Sequence, residues 1–371
     1  MVLRIFNDPV AWVILAVMAV LAFVTALIFK NSLKNDKDEL TDGGLSIGAG
    51  ALIGLEAVIL AMLGGLIARA FISLLMGAAN DSAAAGVAVG WGFFLVPGIV
   101  GTIPFLTHSN PLLTDVESLL MFATVVGGMA GAVNGLWRIY DWEGLGWIAF
   151  PLDVTWALAG NTVGCLLHVL DFIGGDHDDK EHRPNAHQYK GGFPWNRFAH
   201  TQGAVSSHLD VSSSDPLYKH EMTHVLQDRG FGPIYTLTYL GWVIFWVVPS
   251  IVFGMIKKGL AGFLYGPMAW CYFNNPWELW GYKVQATAMH TDDDIRESVA
   301  GDDVKDLVWP AWLVILFAVP FFAAALILAG LTVKSAWIDQ PSTPATKQTQ
   351  QPQKTTKPPT KPQPPPPKPK H

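Results

Sequence analysis

The sequence predicts an all-α polytopic membrane protein, and two observations support this fold class. Of the 371 residues, 51% are hydrophobic and only 15% are charged, which leaves too little polar surface to coat a soluble domain of this size. Apolar runs of bilayer-crossing length also recur along the chain. The first run, near 10–29, leads into a polar segment without a small-residue cleavage site, so we interpret it as a retained transmembrane helix.

Hydropathy predicts about seven or eight transmembrane helices. The apolar runs lie at about 10–29, 47–75, 87–106, 118–137, 147–172, 234–255, 259–273 and 309–333. The run near 259–273 is short enough to be re-entrant. The run near 147–172 contains Asp153 and His168, and ionisable residues at membrane depth face either a partner or a watery cavity. Sequence alone leaves both readings open for these two residues.

A short helix in the polar region between the fifth and sixth runs contains an HExxH pattern. The segment DPLYKHEMTHVLQDRG begins at Asp215, a helix N-cap, and Gly230 is expected to end it. His220 and His224 are four residues apart, so both imidazoles project from one helix face and can share a tetrahedral metal ion. Glu221 lies beside them, placed to take a proton from a water molecule activated by the metal. The pattern predicts a Zn2+ site.

Zinc in a catalytic site has three protein ligands and one open position, so a third ligand is needed. Glu278, in the segment NNPWELWGYKVQA, is the preferred candidate because the apolar hairpin before it returns the chain to the side that it left. Asp228 is the alternative, four residues beyond His224, but its side chain would have to reach past that histidine. Gly230 stands where one large class of zinc peptidases has a third His or Asp, which disfavours that class.

This layout resembles the gluzincin class of zinc metallopeptidases, which combine HExxH on one helix with a Glu on a later helix. The membrane hairpin between the two motifs is similar to that of the membrane-integral HtpX and CAAX-prenyl-protease families. The chain also resembles a group of bacterial HExxHxxQ membrane proteins in the segment HEMTHVLQ, which ends at Gln227, and in the segment GFGPIY that follows. The resemblance covers about 201–286, under a quarter of the chain.

The resemblance implies particular roles for four residues and a hydrolytic reaction. His220, His224 and Glu278 would bind zinc, and Glu221 would be the general base in the hydrolysis of a protein or peptide substrate. The chain departs from these families after the third ligand, where they often have ExxA followed by Asp or Asn. Here Gly281 and Tyr282 follow instead.

Other residues are assigned by weaker patterns. Three side chains could stabilise the oxyanion of peptide hydrolysis, and sequence does not choose among Tyr282, His290 and Arg229.

The segment GAVSSHLDV at 203–211 alternates like a strand and, as an edge strand, would bind substrate backbone, although an ordinary loop is an equal interpretation. The remaining histidines of the polar region have spacings that match no helix face and are expected in solvated loops: His177, His182, His187, His200 and His208.

Charge suggests where the site lies. Lys219, Asp228 and Arg229 flank the motif and would be costly at the bilayer centre, which favours a site at the membrane surface over an intramembrane one. With eight crossings, most basic residues fall on the side of the zinc site, so the positive-inside rule favours a cytoplasmic site. We expect the membrane to be a bacterial inner (plasma) membrane. The residues assigned to the opposite side are Arg4, Arg138, Lys257, Lys258 and Lys334.

These observations predict four regions and a membrane-bound zinc-dependent endopeptidase. The regions are a transmembrane bundle at 1–173, a zinc-site region at 174–308 interrupted by a membrane hairpin at 234–273, a transmembrane helix at 309–335, and a disordered Pro- and Lys-rich tail at 336–371. The alternative is a non-catalytic zinc-stabilised membrane scaffold or assembly subunit whose tail recruits a protein partner. Membrane lipid surrounds the bundle in either case, and the scattered basic residues exclude nucleic acid as a partner.

Overall fold

The chain folds into a helical bundle that holds one small sheet, in a computed structural model that describes residues 7–33, 44–110, 112–174, 180–183, 185–193 and 198–338. The α-helices are α1 (Pro9–Ile28), α2 (Ile47–Ala78), α3 (Ala83–Val89), α4 (Val96–Leu106), α5 (Val116–Leu136), α6 (Gly146–Asp153), α7 (Leu158–Gly174), α8 (Pro216–Phe231), α9 (Pro233–Lys258), α10 (Gly262–Pro267), α11 (Pro276–Ala288), α12 (Arg296–Ala300) and α13 (Ala311–Val333). Short π-helical segments follow α3, α10 and α13 at Gly90–Phe94, Met268–Phe273 and Lys334–Ile338.

Five helical segments among the described residues are long and apolar enough to cross a membrane, or six if the bent pair α6–α7 is one span. The protein is therefore a helical membrane protein, with fewer candidate spans than the seven or eight that hydropathy predicted. The difference comes mainly from two predicted spans, 87–106 and 147–172, which the structure breaks in the middle.

The predicted span at 87–106 is a helical hairpin. Leu95 has a φ of 57°, a conformation that no helix interior allows, and the chain reverses there between α3 and α4. Gly86 on the first arm and Gly101 on the second both pack against Thr114, which lies just before α5. Because both arms end beside the same residue, this element enters and leaves on one side and does not cross.

The predicted span at 147–172 is an elbow, with a bend of 95° between α6 and α7. The elbow reaches the middle of α2, where Gly64 packs against Val154. Both ends of the elbow lie near Trp137, because α6 begins shortly after this residue and Phe172 near the end of α7 packs on its ring at 5.7 Å. The elbow therefore also returns to the side from which it came.

Two contacts correct the sides that the sequence assigned to basic residues. Arg138 donates a hydrogen bond to the carbonyl of Leu33 at 3.0 Å, so the end of α5 lies beside the end of α1. Lys258 forms a 2.9 Å ion pair with Asp306, so the end of α9 lies beside the chain that precedes α13. The eight-crossing arrangement that separated these partners is wrong, because the broken elements change which ends share a side.

The two arms of the expected membrane hairpin run antiparallel. Gly259, with a φ of 61°, follows the end of α9, and the chain turns there into α10. Gly254 packs directly on Gly262, and Trp242 donates to the carbonyl of Trp270 at 3.0 Å. These contacts hold α10 and the π-helical segment that follows it against α9. The chain thereby returns to the start of α11.

A four-stranded sheet lies between α7 and α8. Its strands, β1 (Lys180–Arg183), β2 (Ala186–Tyr189), β3 (His200–Gln202) and β4 (Val205–Ser207), are arranged in the order β1-β2-β4-β3. β4 falls within the segment 203–211, for which the sequence favoured a strand and an ordinary loop equally. It is an interior strand, however, because β2 pairs with it in parallel on one side and β3 pairs on the other. The strand at the edge next to α8 is therefore β3.

Asp153 and His168 make structural hydrogen bonds within the bundle. Asp153 is fully buried and accepts two hydrogen bonds of 2.7 Å from Arg229 of α8 and one of 3.0 Å from Tyr140. The Nδ1 atom of His168 lies 3.1 Å from the hydroxyl of Tyr189. The sequence left two interpretations open, in which these residues either pair with a partner or line a cavity. The structure therefore supports the pairing.

The first residues of the predicted tail are folded. Trp337 donates a 2.9 Å hydrogen bond to the carbonyl of Leu75, and the carbonyl of Ala336 accepts one of 3.3 Å from Ser82. The π-helical segment after α13 thus packs against the end of α2. The expected disorder of the tail concerns 339–371, which lies outside the described residues.

We expect the single variant Arg229→Met to destabilise the protein by about 3–5 kcal/mol, because it leaves the Asp153 carboxylate buried and uncompensated. The double variant Arg229→Met/Asp153→Leu should recover most of this loss. Unfolding in detergent measures both. The control is Asp302→Asn, which breaks an exposed pair with Lys305 and should change little. A double variant as unstable as the single one would contradict the prediction.

Candidate metal centre

The HExxH segment forms helix α8 for local reasons. Asp215 has extended backbone angles and its side chain accepts a 2.8 Å hydrogen bond from the amide of Leu217, which caps the first turn. Gly230 does not end the helix as expected. The helix continues through Phe231 and ends at Gly232, whose φ of 50° suits glycine.

His220, His224 and Glu278 converge on one point. Their ligand atoms all lie within 4.8 Å of one another, and this is the only such group of three in the described parts of the chain. The Nε2 atoms of the two histidines are 3.2 Å apart, and each is 3.4 Å from Oε2 of Glu278. The three side chains are at most 5% exposed. The structure therefore joins the first turns of α11 to the middle of α8, as the third-ligand prediction required.

Asp228, the alternative third ligand, points elsewhere. Its carboxylate packs against Gly160 of α7, and neither oxygen has a hydrogen-bond partner. Burial, with the nearby charge of Asp153, raises the pKa of Asp228 well above its usual value. Because its carboxylate faces α7, Asp228 is not one of the three side chains that converge.

The donor set fits a divalent metal ion. Two imidazoles and one carboxylate form a common zinc ligand set, and Oε2 of Glu278 is buried without a hydrogen-bond partner. Burial would lower the pKa of His224, but the charge of Glu278 outweighs it and raises this pKa to about 9. The same histidines hold the pKa of Glu278 well below its usual range against the effect of burial. The Glu278 carboxylate is thus paired with a proton on His224, and a divalent cation bound at the group would take the place of that proton.

Two residues outside the ligand set fix the orientation of the ligands. Gln227 lies 2.8 Å from Nδ1 of His224 and donates to the carbonyl of Trp277 at 3.1 Å, so it ties α8 to α11 and turns Nε2 of His224 toward the group. Tyr239 of α9 donates to Oε1 of Glu278 at 2.8 Å. The sequence contained a signal for Gln227, three residues beyond His224 on the same helix. It contained none for Tyr239.

Gly281 and Tyr282, where the chain departs from the families it resembles, both touch His220. A Cβ atom on Gly281 would lie 2.9 Å from Cε1 of His220, which is closer than such atoms approach. The ring of Tyr282 packs edge-on against the imidazole, with centroids 4.4 Å apart. The glycine is therefore what allows α11 to approach the ligand helix.

Glu221 is oriented by the edge strand. Its Oε2 atom accepts a 2.7 Å hydrogen bond from the hydroxyl of Thr201 on β3, and that hydroxyl lies 2.6 Å from the hydroxyl of Ser206 on β4. Glu221 is 2% exposed and is not one of the three grouped ligands. Thr201 was not singled out from the sequence, because a lone threonine 20 residues upstream gives no signal.

The structure separates the three candidates for oxyanion stabilisation. Tyr282 lies at the site. Arg229 does not, since its guanidinium is bound by Asp153. His290 lies beyond the end of α11 and is exposed, with a φ of 56°. Only Tyr282 is therefore placed next to the ligands.

The other histidines of the polar region differ in position. The ring of His187 packs against those of His168 and Tyr189 at centroid distances of 5.1 and 4.6 Å. It is buried, which corrects the expected solvated loop. The rings of His200 and His208 are 6.3 Å apart. The prediction for His177 and for the side chain of His182 falls outside the described residues.

Comparisons with protein-family models, with curated proteins and with solved structures find no match to this chain. The resemblance to gluzincin peptidases therefore remains a prediction that rests on the motif residues. The chemistry of the site must be argued from the side chains that meet there.

We expect Glu278→Gln to abolish stoichiometric metal binding, because it removes the only carboxylate in the ligand group. Asp228→Asn is the matched control on the same helix as the histidines and should bind as much metal as the wild type. Metal content of the purified variants, measured by mass spectrometry after dialysis against zinc, checks both. Equal losses in the two variants would contradict the assignment.

We also expect Gly281→Ala to weaken zinc affinity, because the added methyl group displaces the His220 ring. Loss of a supporting contact to a metal ligand typically costs about 10–100-fold in affinity. Gly230→Ala is the control, since no atom lies within 4 Å of a Cβ built there. Competition with a chromogenic chelator measures the two affinities, and an unchanged Gly281→Ala affinity would show that His220 tolerates the contact.

Proposed function

We propose that this protein is a membrane-bound zinc-dependent endopeptidase with His220, His224 and Glu278 as ligands. The observation that supports it best is the position of Glu221, a carboxylate next to the first ligand and held by Thr201 of an edge strand. A structural zinc site has four protein ligands, whereas a catalytic one has three and keeps a position open. The group of three, in the described part of the chain, fits the catalytic class.

The side chains divide the work of peptide hydrolysis among them. Zinc at this group would supply a Lewis acid that acidifies a water molecule and polarises the scissile carbonyl. Glu221 accepts the proton of that water and later gives it to the leaving amine. Thr201 engages Oε2, so Oε1 is the atom left to accept the proton. Burial raises the pKa of Tyr282, which keeps its hydroxyl protonated as a donor for the carbonyl oxygen.

An extended peptide segment is the substrate form that the edge strand suits. β3 is the last strand on its side of the sheet, and Thr201 at its centre contacts Glu221. A peptide backbone that hydrogen-bonds along β3 would therefore run past the general base. This replaces 203–211, whose strand is interior, as the segment that binds substrate.

We place the protein in a bacterial inner membrane with the site on the cytoplasmic side. Arg138 and Lys258, assigned by sequence to the opposite side, lie beside Leu33 and Asp306. They add to the basic residues near the site region, and excess Lys and Arg is typical of cytoplasmic loops. The Pro- and Lys-rich tail would bind a proline-recognising protein or serve as a spacer.

The competing proposal is a non-catalytic scaffold in which zinc ties α8 to α11. The observation that favours it is the burial of the ligands and of Glu221, which are at most 5% exposed. The two proposals predict different consequences of removing the Glu221 carboxylate. A scaffold does not need it.

We expect Glu221→Gln to retain one zinc per chain and to lose proteolysis by about 10²–10⁴-fold, the usual contribution of a general base. Glu143→Gln, in an exposed loop, is the control and should keep full activity. Zinc content and cleavage of protein substrates by the reconstituted protein are measured together. Equal cleavage by wild type and Glu221→Gln would reject the peptidase, and zinc without any cleavage would favour the scaffold.

A further inference from the structure

The depth of the ligand group can be judged against α13, the most apolar helix after the hairpin. α13 has 23 residues, about 34 Å at 1.5 Å per residue, which matches the thickness of a bilayer hydrocarbon core. Phe322 is its central residue. The ring of Trp277, which precedes Glu278, packs edge-on against Phe322 with centroids 5.5 Å apart. The third ligand is therefore level with the middle of a candidate span.

A second measure of depth is the outward face of the two ligand helices. Leu226 of α8 is 67% exposed, Phe231 is 37% exposed and Trp280 of α11 is 45% exposed. The rings of Phe231 and Trp280 lie 5.9 Å apart, so these two side chains form one continuous apolar surface that spans both helices. Each large apolar side chain left in water forgoes about 1.5–3 kcal/mol of burial energy. Lipid covers such a surface without that cost, as it covers the exposed face of α13.

Two of the three charges that argued against this depth, those of Arg229 and Asp228, lie inside the protein. Arg229 is bound by two hydrogen bonds to the buried Asp153. Asp228 is 1% exposed and its carboxylate packs against Gly160, so it lies inside the bundle and does not face lipid. Lys219 is exposed in the first turn of α8 and directly precedes His220, so its long apolar stem must carry the ammonium toward the headgroup region. Arg229 and Asp228 therefore place no charge in lipid.

We infer that the ligand group lies at the depth of the hydrocarbon core and that its substrate is a membrane-embedded peptide segment. The substrate half of this inference rests on the proposed peptidase activity, whereas the depth rests on packing alone. It replaces the surface location that the charged flanks of the motif suggested.

The edge strand gives this substrate class a physical basis. A peptide that unwinds in lipid exposes N–H and C=O groups, and each unsatisfied group costs several kcal/mol there. β3 is the edge strand beside Glu221, and it lies within the bundle, since Gly164 of α7 packs on the carbonyl of Gln202. A membrane-embedded segment can therefore exchange its helical hydrogen bonds for those of β3 without passing through water.

Spin labels measure the depth without any need for activity. Single cysteines are introduced at Leu226, Trp280 and Lys219, and at Leu316 on the exposed face of α13 as the lipid reference. Labelled protein loaded with zinc is reconstituted in phosphatidylcholine liposomes, and collisions with oxygen and with a water-soluble nickel chelate are compared. We expect Leu226 and Trp280 to match Leu316, with loss of nickel collisions, and Lys219 to show them. Nickel collisions at Leu226 and Trp280 equal to those at Lys219 would overturn the inference.

The substrate class is tested with the same liposomes. Single-span peptides with apolar cores of about 20 residues are reconstituted with wild type or Glu221→Gln, while casein is offered to both in buffer. We expect wild type alone to cut within the apolar cores, as located by mass spectrometry, and casein to stay intact. Cuts in casein, or only in the water-exposed flanks, would overturn the substrate class. No cut in either substrate would reject the peptidase itself and leave the depth to be decided by the labels.

Discussion

The ion pair between Arg229 and Asp153 is the interaction on which the position of the metal centre depends. It joins the end of α8 to the elbow between α6 and α7, and Tyr140 supplies a third hydrogen bond to the same carboxylate. A charged helix end in the middle of an apolar bundle is stable only when its charge is paired and its hydrogen bonds are complete. The broken elbow provides both, because a continuous helix would not place Asp153 opposite α8.

Close approach of helices gives the bundle the rigidity that this polar centre requires. Gly64 of α2 packs on Gly127 of α5, and Gly131 packs on the backbone of Leu60. Lipid supplies no hydrophobic drive for helix association, so small residues that bring backbones together are the main source of stability there. The same device recurs at the site, where Gly281 allows α11 to approach His220. Close approach at a glycine therefore serves both the packing of the bundle and the geometry of the metal-binding group.

The sequence predicted which three side chains meet, because most of the signal was local. Four-residue spacing placed His220 and His224 on one face, and the hairpin argument selected Glu278 over Asp228. The sequence-based predictions failed where the structure depends on contacts between residues that are far apart in the sequence. Hydropathy cannot show that Leu95 reverses a helix. Nor can it show that the run at 147–172 bends by 95° after Asp153 to form an elbow. Thr201 and Tyr239 were missed for the same reason, since only folding brings them to the site.

Burial of the ligands is a constraint for an enzyme but not for a scaffold, because only an enzyme must admit a substrate. In a soluble peptidase a site at most 5% exposed would have to open before a substrate could enter. At hydrocarbon depth the surroundings of the outer helix face are apolar, so an apolar segment pays no desolvation cost to reach it. Exclusion of bulk water also strengthens the attraction between the ligands and a cation. The buried site must still open to admit a segment from the membrane, and the peptidase reaction then requires that β3 satisfies the backbone of the segment that enters.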